Sequence, residues 1–314
     1  MATQNAPPVK EGRIPFAAPN TDKPAETWYK IVGDLSSSSS TTPPPLIALH
    51  GGPGATHAYL SPLTDLHAQH GIPIIFYDQI GCGASTHFRE KMGDAGFWTV
   101  ALFIAELDNL IDHLDLRDRG FFILGSSWGG LLAGAYATTR PRGLRRVVIA
   151  SGPADIGLYA QAARALLGGL PEDVRAVIEE CEREGDFESE RYQWASGVWM
   201  RRHVLRLEEW PADVERTMGA LREDPTAYLT MQGPSEFHIT GSLKDWEGWS
   251  QAHLIEVPTL LTNGRYDEVQ DVCMKPWFDK IPRVRWVTYG DSSHMPHWEE
   301  RERYMEVVGE FLTG

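Results

Sequence analysis

Residues 120–130 read GFFILGSSWGG, and this stretch decides the fold. Gly120–Leu124 is a short, continuously apolar run of the kind that forms a strand buried on both faces. From Trp128 towards Thr139 the pattern predicts a helix, stopped by Pro141. Between them, Gly125-Ser126-Ser127-Trp128-Gly129 fits G-x-S-x-G. A serine on a very tight strand-to-helix turn adopts strained backbone angles, so the residues two before and two after it must lack side chains. Only Ser127 satisfies that frame, because Ser126 would need glycine where Leu124 and Trp128 stand. Ser127 is the candidate nucleophile.

Outward from this turn the chain alternates between apolar runs and helical patterns. Pro45–His50 (PLIALH), Ile72–Tyr77 (IPIIFY) and Leu144–Ala150 read as further buried strands. Between Thr99 and Leu116, apolar residues recur at 100, 103, 104, 107, 110, 111 and 114, which is helical spacing. Such alternation predicts βαβ units in a mostly parallel sheet flanked by helices. From about Pro153 to Trp249 the rhythm changes to helical signals (Tyr159–Leu167, Glu172–Glu184, Tyr192–Arg206, Ala212–Arg222), with no buried-strand runs. It resumes at Pro258–Thr262 and Val284–Tyr289 and closes with a helix near Glu300–Leu312. The expected organisation is a core from 1–152 and 250–314, with a helical cap over 153–249. A cap inserted there would cover the C-terminal edge of the sheet, where such folds place ligands. Trp194, Trp199, Trp210, Trp246 and Trp249 are expected to form its core, with some lining a pocket. Ahead of the first parallel strand, residues 1–35 are polar with possible strands such as Thr27–Val32, and the Ser/Thr/Pro run at 36–45 reads as an exposed loop.

Composition limits the functional classes. The 314 residues are 42% hydrophobic and 23% charged, as in a globular enzyme, and the formal net charge of −14 argues against nucleic acid or an anionic membrane as partner. Three scattered cysteines (82, 181 and 273) offer neither a disulfide framework nor zinc-ligand spacing. With no apolar leader and no run long enough to span a bilayer, the expectation is a cytoplasmic protein.

A serine hydroxyl needs a base to take its proton and an acid to orient that base. In the fold built around such a turn the chain order is Ser, then Asp or Glu, then His, on loops after late strands. Asp267 follows the strand at 258–262, and His294 follows the strand at 284–289. His297 is the nearby rival, while His113 and His203 are expected at the surface or in packing. His50-Gly-Gly-Pro-Gly54 follows the first parallel strand, the position from which one oxyanion N–H is supplied; taken alone it would be a plain Gly-Pro turn. The second N–H comes from the residue after the nucleophile, Trp128.

His50-Gly-Gly-Pro-Gly54, Tyr77-Asp-Gln-Ile-Gly-Cys-Gly-Ala-Ser85 and Gly125-Ser-Ser-Trp-Gly129 together resemble the proline iminopeptidase family of α/β hydrolases. The likeness continues through Tyr228-Leu-Thr-Met-Gln-Gly-Pro-Ser-Glu236-Phe, Lys244-Asp-Trp246 and Tyr266-Asp-Glu-Val269. It implies an α/β-hydrolase fold with an inserted helical cap, and cleavage of one residue from a free N-terminus, with amino-acid amides as related substrates. It implies Ser127, Asp267 and His294 as catalytic residues and the N–H groups of Gly52 and Trp128 as oxyanion donors. It further implies that Glu236 and Glu268 bind the substrate ammonium, with Tyr228 beside them. Ile80 and Ala84 stand where many relatives carry arginine, a departure that bears on the preference for proline. No metal or organic cofactor is implied. The same triad could serve an esterase, a thioesterase or a cyclising acyltransferase, and the scaffold could also carry a silent ligand receptor.

Overall fold

The computed structural model describes residues 7–36 and 42–314. Part of the Ser/Thr/Pro run, 37–41, lies outside the described residues. Among the described residues eight strands form one sheet: β1 (Val9–Phe16), β2 (Ala25–Val32), β3 (Leu46–Leu49), β4 (Ile74–Asp78), β5 (Phe121–Ser126), β6 (Leu144–Ala150), β7 (Thr259–Gly264) and β8 (Val284–Tyr289). Their order is β1-β2-β4-β3-β5-β6-β7-β8. The β1–β2 and β2–β4 pairs are antiparallel and all others are parallel. β3, β4, β5 and β7 are buried at every residue, which is why their sequences run apolar instead of alternating.

Around the sheet lie α1 (Thr64–His70), α2 (Val100–His113), α3 (Leu116–Arg119), α4 (Trp128–Thr138), α10 (Asp271–Lys280), α11 (Pro296–Glu299) and α12 (Arg301–Thr313). Between β6 and β7 the chain forms α5 (Ile156–Leu167), α6 (Glu172–Glu184), α7 (Glu190–His203), α8 (Ala212–Glu223) and α9 (Thr226–Met231). Local chemistry sets several of these starts. The Asp155 side chain caps α5 by accepting from the Leu158 N–H, and Ser189 caps α7 by accepting from the Tyr192 N–H.

The direction of winding reverses between β3 and β5. A crevice opens there at the carboxyl ends of the strands, because the following segments leave in opposite directions. The loop at 50–54 follows β3 and the turn at Ser127 follows β5, so the reversal brings the two together.

Three elements add to the sequence expectations and one residue departs from them. β1 forms along a polar stretch in which only Ile14 and Phe16 are buried; pairing with β2 holds it. α9 and α10 were not legible as helices, since each is short and α10 carries Pro276 in its interior. Trp194 is 52% exposed, so it does not belong to the packed interior expected for the tryptophans at 194–249. Its neighbour Trp199, five positions on in α7, takes the buried face instead.

Candidate active site

Ser127 sits at φ 60°, ψ −124°, a left-handed backbone state that L-residues rarely occupy. Neighbouring glycines make the state possible. A Cβ on Gly125 would overlap the Gly129 carbonyl, and one on Gly129 would overlap the Leu49 carbonyl at the end of β3. The turn is held by the Ser127 N–H donating to the Ala150 carbonyl (2.9 Å) and by Gly130 and Leu131 donating to the Ser127 carbonyl (2.8 and 3.1 Å). Trp128 opens α4, and the first N–H groups of a helix have no partner within it. Past the end of the neighbouring strand β3, a Cβ on Gly51 would meet the Ser127 Cβ at 2.9 Å, so the 50–54 loop lies directly against the serine.

That loop is fastened by a residue to which sequence reasoning gave no role. The Gln79 side chain donates to the His50 carbonyl (3.0 Å) and accepts from the Trp128 indole N–H (2.8 Å). Its backbone N–H donates to His50 Nε2 (2.9 Å), which leaves Nδ1 as the protonated nitrogen, donating to the Gly51 carbonyl (3.0 Å). Burial pushes the His50 pKa down to about 4, so the ring is neutral. One glutamine thus joins both candidate oxyanion segments.

Asp267 and His294 meet as expected. His294 Nδ1 lies 2.7 Å from Asp267 Oδ1, which also accepts from the Val269 N–H at 2.8 Å. Asp267 Oδ2 accepts from the Ser151 hydroxyl (2.6 Å) and the Gly264 N–H (3.4 Å). Ser151 carried no sequence signal. It sits just past β6, and only the fold places it under the aspartate. The rival His297 is buried elsewhere, with Nε2 on the Tyr59 carbonyl at 3.1 Å, and burial lowers its pKa to about 3. His203 packs on Trp199 and meets the Tyr266 carbonyl through Nδ1, and His113 is exposed.

A cavity of about 400 Å³ is lined by Gly52, Ser127, Tyr228, Glu236, Glu268 and His294. Trp128 lines a smaller recess that also meets Ser127 and Gly52. Glu236 Oε1 accepts from the Tyr228 hydroxyl (2.7 Å), and Oε2 accepts from the Tyr159 hydroxyl (3.0 Å) and the Gln232 amide (3.2 Å). Glu268 Oε2 accepts from the Trp199 indole (3.2 Å). Burial pushes the pKa of both glutamates up. For Glu236, hydrogen bonds from Tyr228 and Tyr159 pull the other way; for Glu268, the Glu236 carboxylate pushes further up. Burial alone would lower His294, but Asp267, Glu268 and Glu236 outweigh it and raise the pKa to about 9. The arrangement is an imidazole and a serine beside a pair of buried carboxylates. Among the described residues neither glutamate forms an ion pair with Lys or Arg. Tyr159 was not foreseen, because it lies outside the motif segments; Gln232 stands inside the 228–237 segment and Trp199 among the cap tryptophans, but only packing shows that they reach the carboxylates.

Residues 44–301 match the family model described as the alpha/beta hydrolase fold. The proline iminopeptidase of Saccharolobus solfataricus is 39% identical over 267 residues, which is 85% of this chain and 84% of that protein. Among solved structures, the chain is similar to the crystal structure of VinJ, with a TM-score of 0.91 and 41% identity over 98% of this chain and 99% of that one. It is also similar to the proline iminopeptidase of Mycobacterium smegmatis, with a TM-score of 0.83 and 34% identity over 96% and 97% of the two chains. This chain therefore belongs to the proline iminopeptidase family of α/β hydrolases and is a serine hydrolase of the aminopeptidase kind.

Proposed function

We propose that this chain releases a single amino acid bearing a free amine from a peptide or amino-acid amide, through an acyl-enzyme on Ser127. The observation that carries the reading is the buried pair Glu236 and Glu268, held by neutral donors and facing the serine's cavity. Their cationic neighbour among the described residues is the His294 imidazole, 3.8 Å from Glu268 and already held by Asp267, so the two buried carboxylates are short of positive charge and a substrate ammonium supplies it. A substrate blocked at nitrogen leaves that charge uncompensated and is rejected.

In this reading His294 takes the Ser127 proton as Oγ attacks the carbonyl carbon. Asp267 holds the imidazole through Nδ1 and stabilises the imidazolium that forms. The oxygen of the tetrahedral intermediate is held by the N–H groups of Gly52 and Trp128. His294 then gives its proton to the leaving nitrogen as the C–N bond breaks. Water, deprotonated by the same imidazole, attacks the ester, frees the amino acid and returns the proton to Ser127.

The segment 153–249 acts as a cap that supplies Tyr159, Trp199, Tyr228 and Glu236, while the core at 1–152 and 250–314 supplies the reacting groups. The same reading takes amino-acid amides as substrates and gives nucleic acid and membranes no role, in keeping with the net charge of −14. It assigns the protein to the cytoplasm, supported by three cysteines that are all free and buried. Among the described residues no helix is long and apolar enough to cross a membrane. The test is kinetics on matched aminoacyl and N-acetyl-aminoacyl naphthylamides. Cleavage of the free-amine series alone supports the reading, and equal cleavage of both series overturns it.

A further inference from the structure

Tyr59 touches the candidate oxyanion loop with its side chain and two further segments with its backbone. It lies in a short helical turn, His57–Leu63, just past that loop, and it is buried against the cavity beside Gly51, Gly52 and Ser127. Its hydroxyl accepts from the Gly51 N–H at 2.8 Å. The Ser126 hydroxyl, one residue before the nucleophile, is its second partner. Burial pushes the phenol pKa up to about 12, against the pull of both hydrogen bonds, so the group stays neutral.

This contact bears on a donor of the reaction. Glycine restricts its own backbone least, so whatever orients Gly51 and Gly52 must come from their hydrogen bonds. The His50–Gly51 peptide is held at both ends, its carbonyl by the Gln79 amide (3.0 Å) and its N–H by the Tyr59 hydroxyl. The next peptide has its carbonyl, that of Gly51, on the His50 ring (3.0 Å) and the Ala55 N–H (3.3 Å). In a trans peptide the N–H points away from the carbonyl, so these bonds turn the Gly52 N–H to the other side. Tyr59 supplies the hold on the N–H side, and no other side chain shares it.

A phenol can act as a stop only where its own backbone is fixed. The Tyr59 carbonyl accepts from His297 Nε2 (3.1 Å) and from the Trp298 indole (2.7 Å), in the segment that follows His294. The Tyr59 N–H donates to Thr217 Oγ1 (3.2 Å) on the cap helix α8. The Thr217 proton goes to the Asp213 carbonyl (3.0 Å), so its oxygen accepts from the Tyr59 N–H and from the Thr56 hydroxyl (3.1 Å). Thr217 is itself buried and lines the cavity. Helix α8 is thus both a wall of the cavity and the foothold of the residue that orients the oxyanion loop.

We propose that Tyr59 is a positioning residue for the Gly52 oxyanion donor, and that the cap sets it through Thr217. The inference rests on the roles given above to Ser127 and the Gly52 N–H. It makes the cap a contributor to the rate of the chemical step as well as to binding.

The experiment compares wild type, Tyr59→Phe, Thr217→Val, Thr217→Ser and the double variant Tyr59→Phe/Thr217→Val. Each full-length protein is assayed on alanyl naphthylamide and on p-nitrophenyl acetate, and Ser127 is labelled to completion with a fluorophosphonate. Tyr59→Phe keeps the ring and should lower kcat by about tenfold on both substrates, with KM changed by less than about twofold. Thr217→Val should lower kcat by about threefold, and Thr217→Ser should restore it, because the hydroxyl and not the methyl is the acceptor. The double variant should fall no further than Tyr59→Phe, since both act through one hydroxyl. A merely structural role would lower Tm and leave kcat in place. If Thr217→Val does not fold, Thr217→Ala carries the same comparison.

Tyr59→Phe turning over as fast as wild type, with Ser127 labelled in both, would overturn the positioning role alone. Losses that multiply in the double variant would overturn the link through Thr217. Absence of label on Ser127 in wild type would overturn the nucleophile assignment and this inference with it. Dependence on the free amine is a separate matter, since p-nitrophenyl acetate carries none.

Discussion

Oε1 of Glu268 stands 3.8 Å from Nε2 of His294, the nitrogen that must be free of its proton to accept one from Ser127. With Asp267 on Nδ1 and Glu236 near by, the imidazole is surrounded by carboxylates that outweigh its burial and hold its pKa at about 9. The other histidine close to it, His297, is neutral and contributes no competing attraction. Below that pH the free enzyme keeps His294 protonated and short of a base. A bound ammonium between the glutamates offsets their charge and lowers the imidazole pKa. The expected outcome is an acid limb in kcat/KM, which reports free enzyme, at higher pH than the limb in kcat, which reports the complex. Glu268→Gln should move the kcat/KM limb down by about one pH unit or more on an ester lacking the amine. Coincident limbs near the ordinary histidine value, unmoved by the substitution, would count against this coupling.

Ser127→Ala should remove turnover by roughly 10⁴-fold or more while leaving the fold intact, because alanine fits the turn that Gly125 and Gly129 make room for. Binding of a free-amine product should persist, since Glu236 and Glu268 are untouched. Rapid labelling of wild type, and not of Ser127→Ala, by a fluorophosphonate probe would assign the nucleophile directly.

The backbone around this serine was more legible than its surroundings, and the reason is physical. Gly125 and Gly129 are read from sequence because their missing side chains are a steric necessity within five residues. Asp267 and His294 follow from chain order, because a parallel sheet presents its late loops at one edge. Gln79 and Ser151 left no such trace. Each acts through a contact across the fold, Gln79 on Trp128 and Ser151 on Asp267, and polar residues of these kinds are common at the surface. The strand β1 was hidden for the opposite reason, since backbone pairing with β2 holds it while few of its side chains are buried. The cap helices were readable as amphipathic segments, but which of their aromatic residues faced inward was not, as Trp194 and Trp199 show.

Glu236→Gln keeps the shape of the site and the donors Tyr228, Tyr159 and Gln232 around it, but removes one charge. Breaking one partner of a buried charge pair costs roughly 3–5 kcal/mol, which is on the order of 10²–10⁴-fold in kcat/KM for free-amine substrates. For an ester without the amine the loss should be under tenfold, because the reacting groups are unchanged. Equal losses on both substrates would mean that Glu236 shapes the pocket and does not anchor the amine.

Gln79→Ala should lower kcat by about tenfold with little change in KM, because misplacing an oxyanion donor weakens the transition state and leaves the amine anchors alone. The substitution strands the Trp128 indole N–H and the His50 carbonyl, so a drop in Tm should accompany it. The ratio of kcat to KM effects separates positioning from general loss of structure. A fall in KM-controlled binding at unchanged kcat would contradict the clamp.

Glu106 gives a stability prediction away from the chemistry. Its Oε1 accepts from the Thr27 hydroxyl (2.5 Å) and the Ile80 N–H (2.9 Å), while Oε2 is buried with no partner among the described residues. Burial raises its pKa to about 8, against the pull of those two hydrogen bonds. A carboxyl whose folded pKa lies above its unfolded value near 4.5 favours the native state fully below pH 4.5. That stability is lost as pH rises towards 8, at about 1.4 kcal/mol per pH unit across the window. Wild-type Tm should therefore decline between pH 5 and 8 more steeply than that of Glu106→Gln, whose amide does not titrate. The comparison uses the slope of Tm against pH, so a constant offset from the new amide does not enter. Parallel slopes in the two proteins would show that Glu106 does not hold its proton in the fold.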